Sequence, residues 1–213
     1  MSINKPSLPA LILIDIQKGF DDVEYWGGGR NNPDAELRAS ELLRLWRDNG
    51  FPIFHVQHCS TIPTSPLHET HAGNQFNDLV APTEREPVIK KSVNSAFIGT
   101  DLQAQLDNAK ITTLVIAGLT TDHCISTTAR MAGNLGYETF LVAAATATFN
   151  KKGIDGQIFP AELIHQTALA SLDKEFATVI TTDVIKQATV YNPAKLKRIS
   201  REKRNSFLTN FYK

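Results

Sequence analysis

Three side chains suited to nucleophilic and acid–base chemistry follow predicted buried strands. Asp15 ends the apolar run that begins at Ala10, His58 ends a second run, and Cys124 comes shortly after a third. In an open parallel sheet, ligands bind beyond the carboxyl ends of the strands. We therefore expect these side chains to face one crevice, where a nucleophilic thiol would have a carboxylate and an imidazole near it.

Cys124 permits two interpretations. It is expected in the first turn of a helix, where the helix macrodipole and unpaired backbone N–H groups lower the pKa of a thiol toward the reactive thiolate. However, positions 124, 128, 131 and 135 form one stripe at helical spacing, and cysteine is often a small core residue. Spacing alone favours the structural interpretation. Asp15 could likewise cap a loop or a helix, but the apolar run before it favours burial, and a buried carboxylate needs a partner.

The alternation of apolar runs and helical stretches predicts an α/β fold. We expect a Rossmann-like, three-layer α/β/α domain with a mostly parallel sheet of about six strands. The predicted strands are 10–15, 51–58, 88–91, 112–119, 137–143 and 176–181. The predicted helices are 33–49, 102–106, 122–135 and 160–172. The segment 60–87 lacks periodicity, which is typical of a lid or a substrate-binding loop.

In the first predicted helix, four apolar residues are expected to share one stripe that faces the core: Leu37, Leu42, Leu45 and Trp46. Pro33 and Asp34 mark the start of this helix, and Asn49 with Gly50 marks its end.

Composition and charge exclude several classes of protein. The formal net charge of the 213 residues is zero, so neither nucleic-acid nor anionic-lipid partners are indicated. No apolar run approaches the length that spans a bilayer, and no signal-peptide pattern is present. Two cysteines cannot form a disulfide framework. We expect a cytoplasmic protein whose residues 1–190 form one domain.

Residues 191–213 form a basic extension. Seven Lys or Arg residues accompany a single acid, Glu202. The simplest interpretation is a solvated helix or a frayed end. The alternative is an arm that packs on a partner subunit through Phe207, Leu208, Phe211 and Tyr212.

Three segments resemble the signatures of the isochorismatase-like hydrolases. The first signature, a strand that ends in Asp, is similar to LILIDIQKGF at 11–20. The second, a lysine four residues before Ser-Ala-Phe, is similar to KSVNSAFIGTDL at 91–102. The nucleophile segment, in which a cysteine opens a helix after a strand, a glycine and a turn, is similar to AGLTTDHCISTTARMAGNLGY at 117–137. The segments occur in family order, and the similarity covers roughly residues 8 to 182.

The resemblance implies a catalytic role for three residues. Cys124 would be the nucleophile, Asp15 the acid/base, and Lys91 the cation that stabilises the thiolate; without the resemblance, Lys91 would be an ordinary surface cation. A non-proline cis peptide is implied at Leu119–Thr120, which would direct the N–H groups of Thr120 and Cys124 into an oxyanion hole. The implied reaction is hydrolysis of a small-molecule amide, imide or ureido C–N bond through a thioester, without a cofactor. Members of the family are usually homo-oligomers, so a dimer or a tetramer is expected.

No metal is expected, because the sequence departs from the pattern of the family's nicotinamidases. Those enzymes hold a metal with an Asp and a His just after the second strand and with a further His. Here His58 stands at the position of the Asp, and Ser60 at that of the first His. His68 and His71 lie nearby, so a different histidine site is the open alternative.

Five side chains are candidates for the substrate pocket. The glycine-rich segment 25–33 lacks the Gly-Lys-Ser/Thr ending of a phosphate loop, and we expect a tight turn that brings Trp26 and Asn31 over the pocket. Phe20, Trp26 and Phe76 could form an apolar wall for a flat or ring-bearing substrate. His58 is expected either to hydrogen-bond in the pocket or to pack at the strand end.

Two other functions remain open at this point. One is metal-assisted, nicotinamidase-like amidase activity. The other is a non-catalytic small-molecule binding or redox-sensing protein on the same fold, against which the intact set of Asp15, Lys91 and Cys124 argues. Isochorismatase action on a vinyl ether is disfavoured, because in the family that chemistry accompanies loss of the cysteine.

Overall fold

Six parallel strands form the central sheet of the computed structural model, which describes residues 8–184. The strands of the central sheet are β1 (Ala10–Ile14), β2 (Ile53–His58), β3 (Val88–Lys91), β4 (Thr113–Leu119), β5 (Glu138–Ala147) and β8 (Thr178–Ile180). Two short strands between β5 and β8 lie outside it: β6 (Lys151–Lys152) and β7 (Ile158–Phe159). The sheet has the order β3-β2-β1-β4-β5-β8, and β6 pairs with β7 in a separate antiparallel ribbon. The predicted α/β/α fold with about six strands is confirmed. The proposed domain boundary at residue 190 and the basic extension lie outside the described residues.

In the described residues, the sheet is covered by the helices α1 (Ala35–Asn49), α2 (Leu102–Asn108), α3 (Ser126–Asn134) and α4 (Ala161–Leu172). The core on one face is formed with α1, and the core on the other face with α2, α3 and α4. A π-helical turn, Thr121–Ile125, joins β4 to α3. Within residues 8–184, no helix combines the length and the apolar content that a bilayer crossing requires.

The α1 helix ends where the sequence predicts, but the face that it buries is not the predicted one. Gly50 follows the last helical residue with a left-handed φ of 64°. Leu37, predicted to face the core, is 44% exposed, whereas Trp46 is fully buried. These two residues are nine positions apart, which places them on roughly opposite sides of a helix with about 100° per residue. Small residues, Ala35 and Ala39, take the place next to the sheet in the first turns.

Strand β5 extends four residues beyond its predicted end. The added residues 144–147 are small or hydroxylated and lack the long or β-branched apolar side chains that mark most strands, which is why the pattern ended at Ala143. A register shift separates the pair Ile116–Leu141 from the pair Gly118–Thr146. After this bulge β5 stays beside β4 up to Leu119, at the edge of the site.

The order of the strands creates a crevice at one edge of the sheet. Strand β1 lies between β2 and β4, so the chain runs outward from β1 in both directions. This arrangement is a topological switch point, where ligands bind beyond the carboxyl ends of the strands. The ends of β1, β2, β3 and β4 therefore meet around a single position.

Gly118 is required where β4 passes β1. Its φ is 134°, and a Cβ at this position would overlap the carbonyl group of Ile14, its partner in β1. We expect Gly118→Ala to destabilise the protein by at least about 3 kcal/mol, because backbone strain and a backbone clash act together. Urea unfolding would measure the change.

A control for this substitution is Gly99→Ala. Gly99 also has a positive φ, 69°, but a Cβ there would meet no atom within 4 Å. Gly99→Ala therefore reports the conformational strain alone, and we expect its free energy of unfolding to fall by about 1 kcal/mol. Equal losses in the two variants would show that the approach of β4 to β1 is not tight.

Candidate active site

Asp15 stands at the carboxyl end of β1 in an unusual backbone conformation. Its φ is 52°, a region that aspartate tolerates better than most residues. Its N–H donates to the carbonyl of Val56 at 2.9 Å, so the residue is still held to β2. The side chain is fully buried. Oδ2 accepts a hydrogen bond from Lys91 Nζ at 2.6 Å, while Oδ1 has no hydrogen-bond partner within residues 8–184.

His58 and Lys91 are brought together by strand register. They are the last residues of β2 and β3 and are direct partners in the parallel ladder, so their side chains leave the same face of the sheet. The Lys91 ammonium, fully buried, lies 3.1 Å from His58 Nδ1 and 3.3 Å from Cys124 Sγ. Lys91 thus contacts both of these side chains and Asp15.

Cys124 lies in the π-helical turn that follows β4. The carbonyl of Thr120 accepts hydrogen bonds from the N–H groups of His123 and Ile125, which closes the turn. The Leu119–Thr120 peptide bond is cis, as predicted. Cys124 is only 7% exposed, and the structure brings it together with Asp15 and Lys91.

The thiol of Cys124 is less acidic than the sequence led us to expect. Burial and then the negative charge of Asp15 raise the pKa of Cys124 well above its ordinary value, although the charge of Lys91 opposes them. The expected lowering of the pKa by the helix N-terminus was therefore wrong, because desolvation outweighs it. The cysteine rests as a protonated thiol, and its use as a nucleophile requires a base.

The Ser-Ala-Phe signature has a structural explanation. Ser95 and Ala96 are buried, and Ala96 N–H donates to Thr128 Oγ1 of α3 at 3.0 Å. The carbonyl of Ala96 accepts from Thr100 Oγ1 at 2.6 Å. The bond to Thr128 ties the segment after β3 to the helix after Cys124, and the bond from Thr100 closes a turn within that segment.

A family model described as the isochorismatase domain matches residues 9–184, which is most of the chain. The chain belongs to the isochorismatase family. A relative from Bacillus subtilis, the isochorismatase family protein YrdC, is 47% identical over 174 residues, which cover 82% of this chain and 92% of the relative.

Other matches to this isochorismatase-family hydrolase agree in fold and in family. The crystal structure of a family hydrolase from Chromobacterium violaceum superposes with a TM-score of 0.82 and 38% identity, covering 89% of this chain and 96% of that one. Nicotinamidase 3 of Arabidopsis thaliana is 29% identical over 201 residues, covering 87% of this chain and 90% of the relative. The family is hydrolytic, which supports a hydrolase here.

A separate metal site of the nicotinamidase type does not fit the residues of this hydrolase. In the described part of the chain, the only group of three or more His, Cys, Asp or Glu side chains close enough to share an ion is Asp15, His58 and Cys124. Lys91 Nζ already contacts one atom of each. Of the histidines named as an open alternative, His71 contacts the carbonyl of Pro63 through Nε2. We derive no metal-dependent step.

The predicted aromatic wall is only partly assembled. Phe20 and Trp26 pack together with ring centroids 4.7 Å apart, and Phe149 joins them at 6.1 Å from Phe20. Phe76 instead packs edge-on against His55, with centroids 5.8 Å apart. In β2, His55 and His58 leave opposite faces of the sheet. The structure therefore does not bring Phe76 together with the other two aromatic residues.

Asn31 holds a loop in place. Its Oδ1 accepts from Thr148 N–H at 2.8 Å, and its Nδ2 donates to Glu162 at 3.3 Å. The glycine-rich turn before it has positive φ at 27–29, as a tight turn requires. Both polar groups of the Asn31 amide thus bind protein groups. Its proposed role over the pocket stays a prediction.

Sequence reasoning missed three polar residues at the site. Asn94, exposed in the segment after β3, places Oδ1 3.8 Å from Cys124 Sγ. Gln17 and Asn74 both bind the backbone of His58. Gln17 lies two residues after Asp15, within the first family signature, which was the only signal in its favour. Asn74 lies in the long loop, where no sequence pattern indicated a role for it.

Proposed function

We propose that this isochorismatase-family hydrolase cleaves a small-molecule amide, imide or ureido C–N bond through a thioester on Cys124. The observation that carries the proposal is the position of the Lys91 ammonium, 2.6 Å from Asp15 Oδ2 and 3.3 Å from Cys124 Sγ. A nucleophile, a base and a cation within contact of one another form a set suited to acyl transfer.

The first step transfers a proton from Cys124 to Asp15. Because Lys91 engages only Oδ2, the buried Oδ1 remains open to accept the thiol proton. The transfer moves negative charge from the carboxylate to the sulfur, and both lie beside Lys91. The ammonium therefore has an anion next to it before and after the transfer, so the step creates no unpaired charge in the buried site.

The second step forms and breaks bonds at the carbonyl carbon of the substrate. The thiolate attacks this carbon, and the tetrahedral oxyanion accepts hydrogen bonds from the N–H groups of Thr120 and Cys124. Asp15 returns its proton to the leaving nitrogen, and the C–N bond breaks to leave a thioester. Asp15 then takes a proton from a water that attacks the thioester, and the acid leaves as Cys124 recovers its proton.

A depression of about 350 Å³ adjoins Lys91, and charged Glu69 and Lys90 and apolar Val93 and Ile98 are in its lining. Neither Cys124 nor Asp15 lines it, so we propose that it holds the part of a small, polar substrate that is remote from the carbonyl that Cys124 attacks.

An ammonia-release screen tests the proposed function. The panel contains primary amides, cyclic imides and carbamoyl compounds, with nicotinamide included because of the nicotinamidase among the relatives. We expect turnover of at least one class by the wild-type protein without added metal. Absence of turnover on every compound would contradict the proposal, and turnover that requires added metal would favour nicotinamidase-like chemistry instead.

We also propose a cytoplasmic location. Both Cys59 and Cys124 are free thiols, and a reactive thiol is preserved in a reducing compartment. Fractionation of the source cells with an antibody to the protein would test this location.

A further inference from the structure

The Lys91 ammonium is fully engaged by three acceptors. An ammonium group has three N–H donors, and they meet Asp15 Oδ2 at 2.6 Å, His58 Nδ1 at 3.1 Å and Cys124 Sγ at 3.3 Å. The proposed reaction uses Asp15 and Cys124 and gives His58 no part. Protonation of His58 would remove its acceptor atom and create a second cation, whereas protonated Asp15 and Cys124 are neutral and keep lone pairs.

The contact with Lys91 fixes the tautomer of His58. Because the ammonium is a donor only, Nδ1 must offer a lone pair, and the neutral imidazole carries its proton on Nε2. A second proton on Nδ1 would remove the acceptor and place two cations 3.1 Å apart in a buried site. The present position of Lys91 is therefore compatible only with a neutral His58.

The backbone of His58 is clamped from two sides. Gln17 Nε2 donates to the His58 carbonyl at 3.0 Å, and Gln17 Oε1 accepts from the His58 N–H at 2.9 Å. Asn74 Nδ2 donates to the same carbonyl at 2.9 Å. Gln17 is itself buried, at 1% exposure. His58 is thus held against β1, and a repulsion between His58 and Lys91 would displace the lysine rather than the strand.

We infer that His58 is a positioning residue: its neutral Nδ1 holds the Lys91 ammonium against Cys124 Sγ, and protonation of His58 withdraws it. The inference rests on the proposed role of Cys124 as the nucleophile. A positioning role for His58 gives the reactivity of Cys124 a pH dependence beyond that which arises from Asp15, Lys91 and Cys124 themselves.

The direction of this pH dependence follows from the surroundings of His58. Burial, and then the charge of Lys91, lower the pKa of His58 below its usual 6.5, although the charge of Asp15 opposes them. The charged or titratable groups that face it are Asp15 from β1, Lys91 from β3 and Cys124 from the π-helical turn. His58 is therefore neutral at pH 7, and the arrangement is lost as the pH falls through the lowered pKa.

Alkylation of Cys124 by iodoacetamide tests the inference without any substrate. The experiment uses the full chain with Cys59→Ser, so that Cys124 is the one remaining thiol. Alkylation rates are followed by mass spectrometry from pH 8 down to the lowest pH at which the proteins stay folded, for the protein with His58 and for the variants His58→Asn and His58→Leu. The Asn side chain can present an oxygen near the position of Nδ1 but does not titrate, whereas Leu has no acceptor.

We expect the rate with His58 to fall relative to that of His58→Asn by about tenfold for each pH unit below the pKa of His58, because one additional proton is bound. The pH dependence of thiol ionisation is common to both proteins and cancels in this ratio. At pH 8 we expect His58→Leu to react several-fold more slowly than His58→Asn. A constant ratio between His58 and His58→Asn would overturn the inference, and this comparison decides the matter even if the Leu variant does not fold.

His123→Asn is the control for the identity of the titrating group. His123 lies next to Cys124 in the sequence and pairs with Asp122, and its own pKa is lowered by burial. We expect the rate with His123→Asn to keep the additional dependence on pH. If this variant lost that dependence, the titrating group would be His123 and the inference would be overturned.

Two further outcomes concern the proposed function. Failure of Cys124 to react at pH 8 in the protein with His58 would contradict the role of Cys124 as the nucleophile. An inactive amide panel with normal alkylation would contradict only the proposed substrate class.

Discussion

Replacing Cys124 with Ala or Ser is expected to reduce turnover to the background rate and to leave the fold intact. Removal of the nucleophile removes the thioester route altogether, so we expect a loss of at least about 10³-fold. Serine keeps a group of similar size, but a hydroxyl is harder to ionise than a thiol, and the buried site already raises the pKa of the thiol. The measurement is kcat/KM on a compound that the ammonia-release screen identifies.

The stability of these variants separates a chemical effect from a structural one. Cys124 is buried in the core beside Ile125 and Ala129, so truncation leaves a small cavity next to Lys91. We expect the free energy of unfolding to change by no more than about 2 kcal/mol, which urea unfolding can resolve. A Cys124→Ala protein that retains turnover would refute covalent catalysis by this residue, and one that fails to fold would leave the decision to Cys124→Ser.

Strand positions could be predicted from the sequence because local patterns determine them. The run Ala10–Ile14 is entirely apolar and buried, so both the strand and the carboxylate that follows it were evident. The side chains that meet at a site depend also on which strands are neighbours and on their register. The contact of His58 with Lys91 arises because β2 and β3 pair in parallel with these two residues opposite each other. No local pattern in either strand contains that information.

Chemical properties that depend on burial were the hardest to predict. A helix N-terminus suggested a lowered thiol pKa, but the rest of the fold buries Cys124 and places a carboxylate beside it, and the pKa rises instead. The prediction for Leu37 was wrong for a different reason: Leu37 lies nine positions from Trp46, on roughly the opposite side of the helix, so helical spacing itself excludes it from the buried face. The pKa of the thiol, in contrast, is set by tertiary packing, which sequence periodicity does not describe.

Replacing Lys91 with Met is expected to lower both stability and turnover, because Lys91 balances a buried charge. The side chains of Asp15 and Lys91 are both fully buried, with Nζ and Oδ2 2.6 Å apart. Removal of one partner leaves an uncompensated carboxylate in the core, which costs about 3–5 kcal/mol. Urea unfolding at pH 7 would show this loss, and turnover would fall to background because the thiolate has lost its cation.

The double variant Asp15→Asn with Lys91→Met separates the two roles of the ion pair. It removes both charges, so we expect most of the stability lost in Lys91→Met to return, since a buried pair contributes little beyond compensating its own desolvation. Turnover should not return, because the base is now also absent. Recovery of stability without recovery of activity would mean that the pair is retained for chemistry. If the double variant is as unstable as Lys91→Met, the cost in the single variant lies in lost packing around the lysine side chain, and the argument from buried charge is wrong.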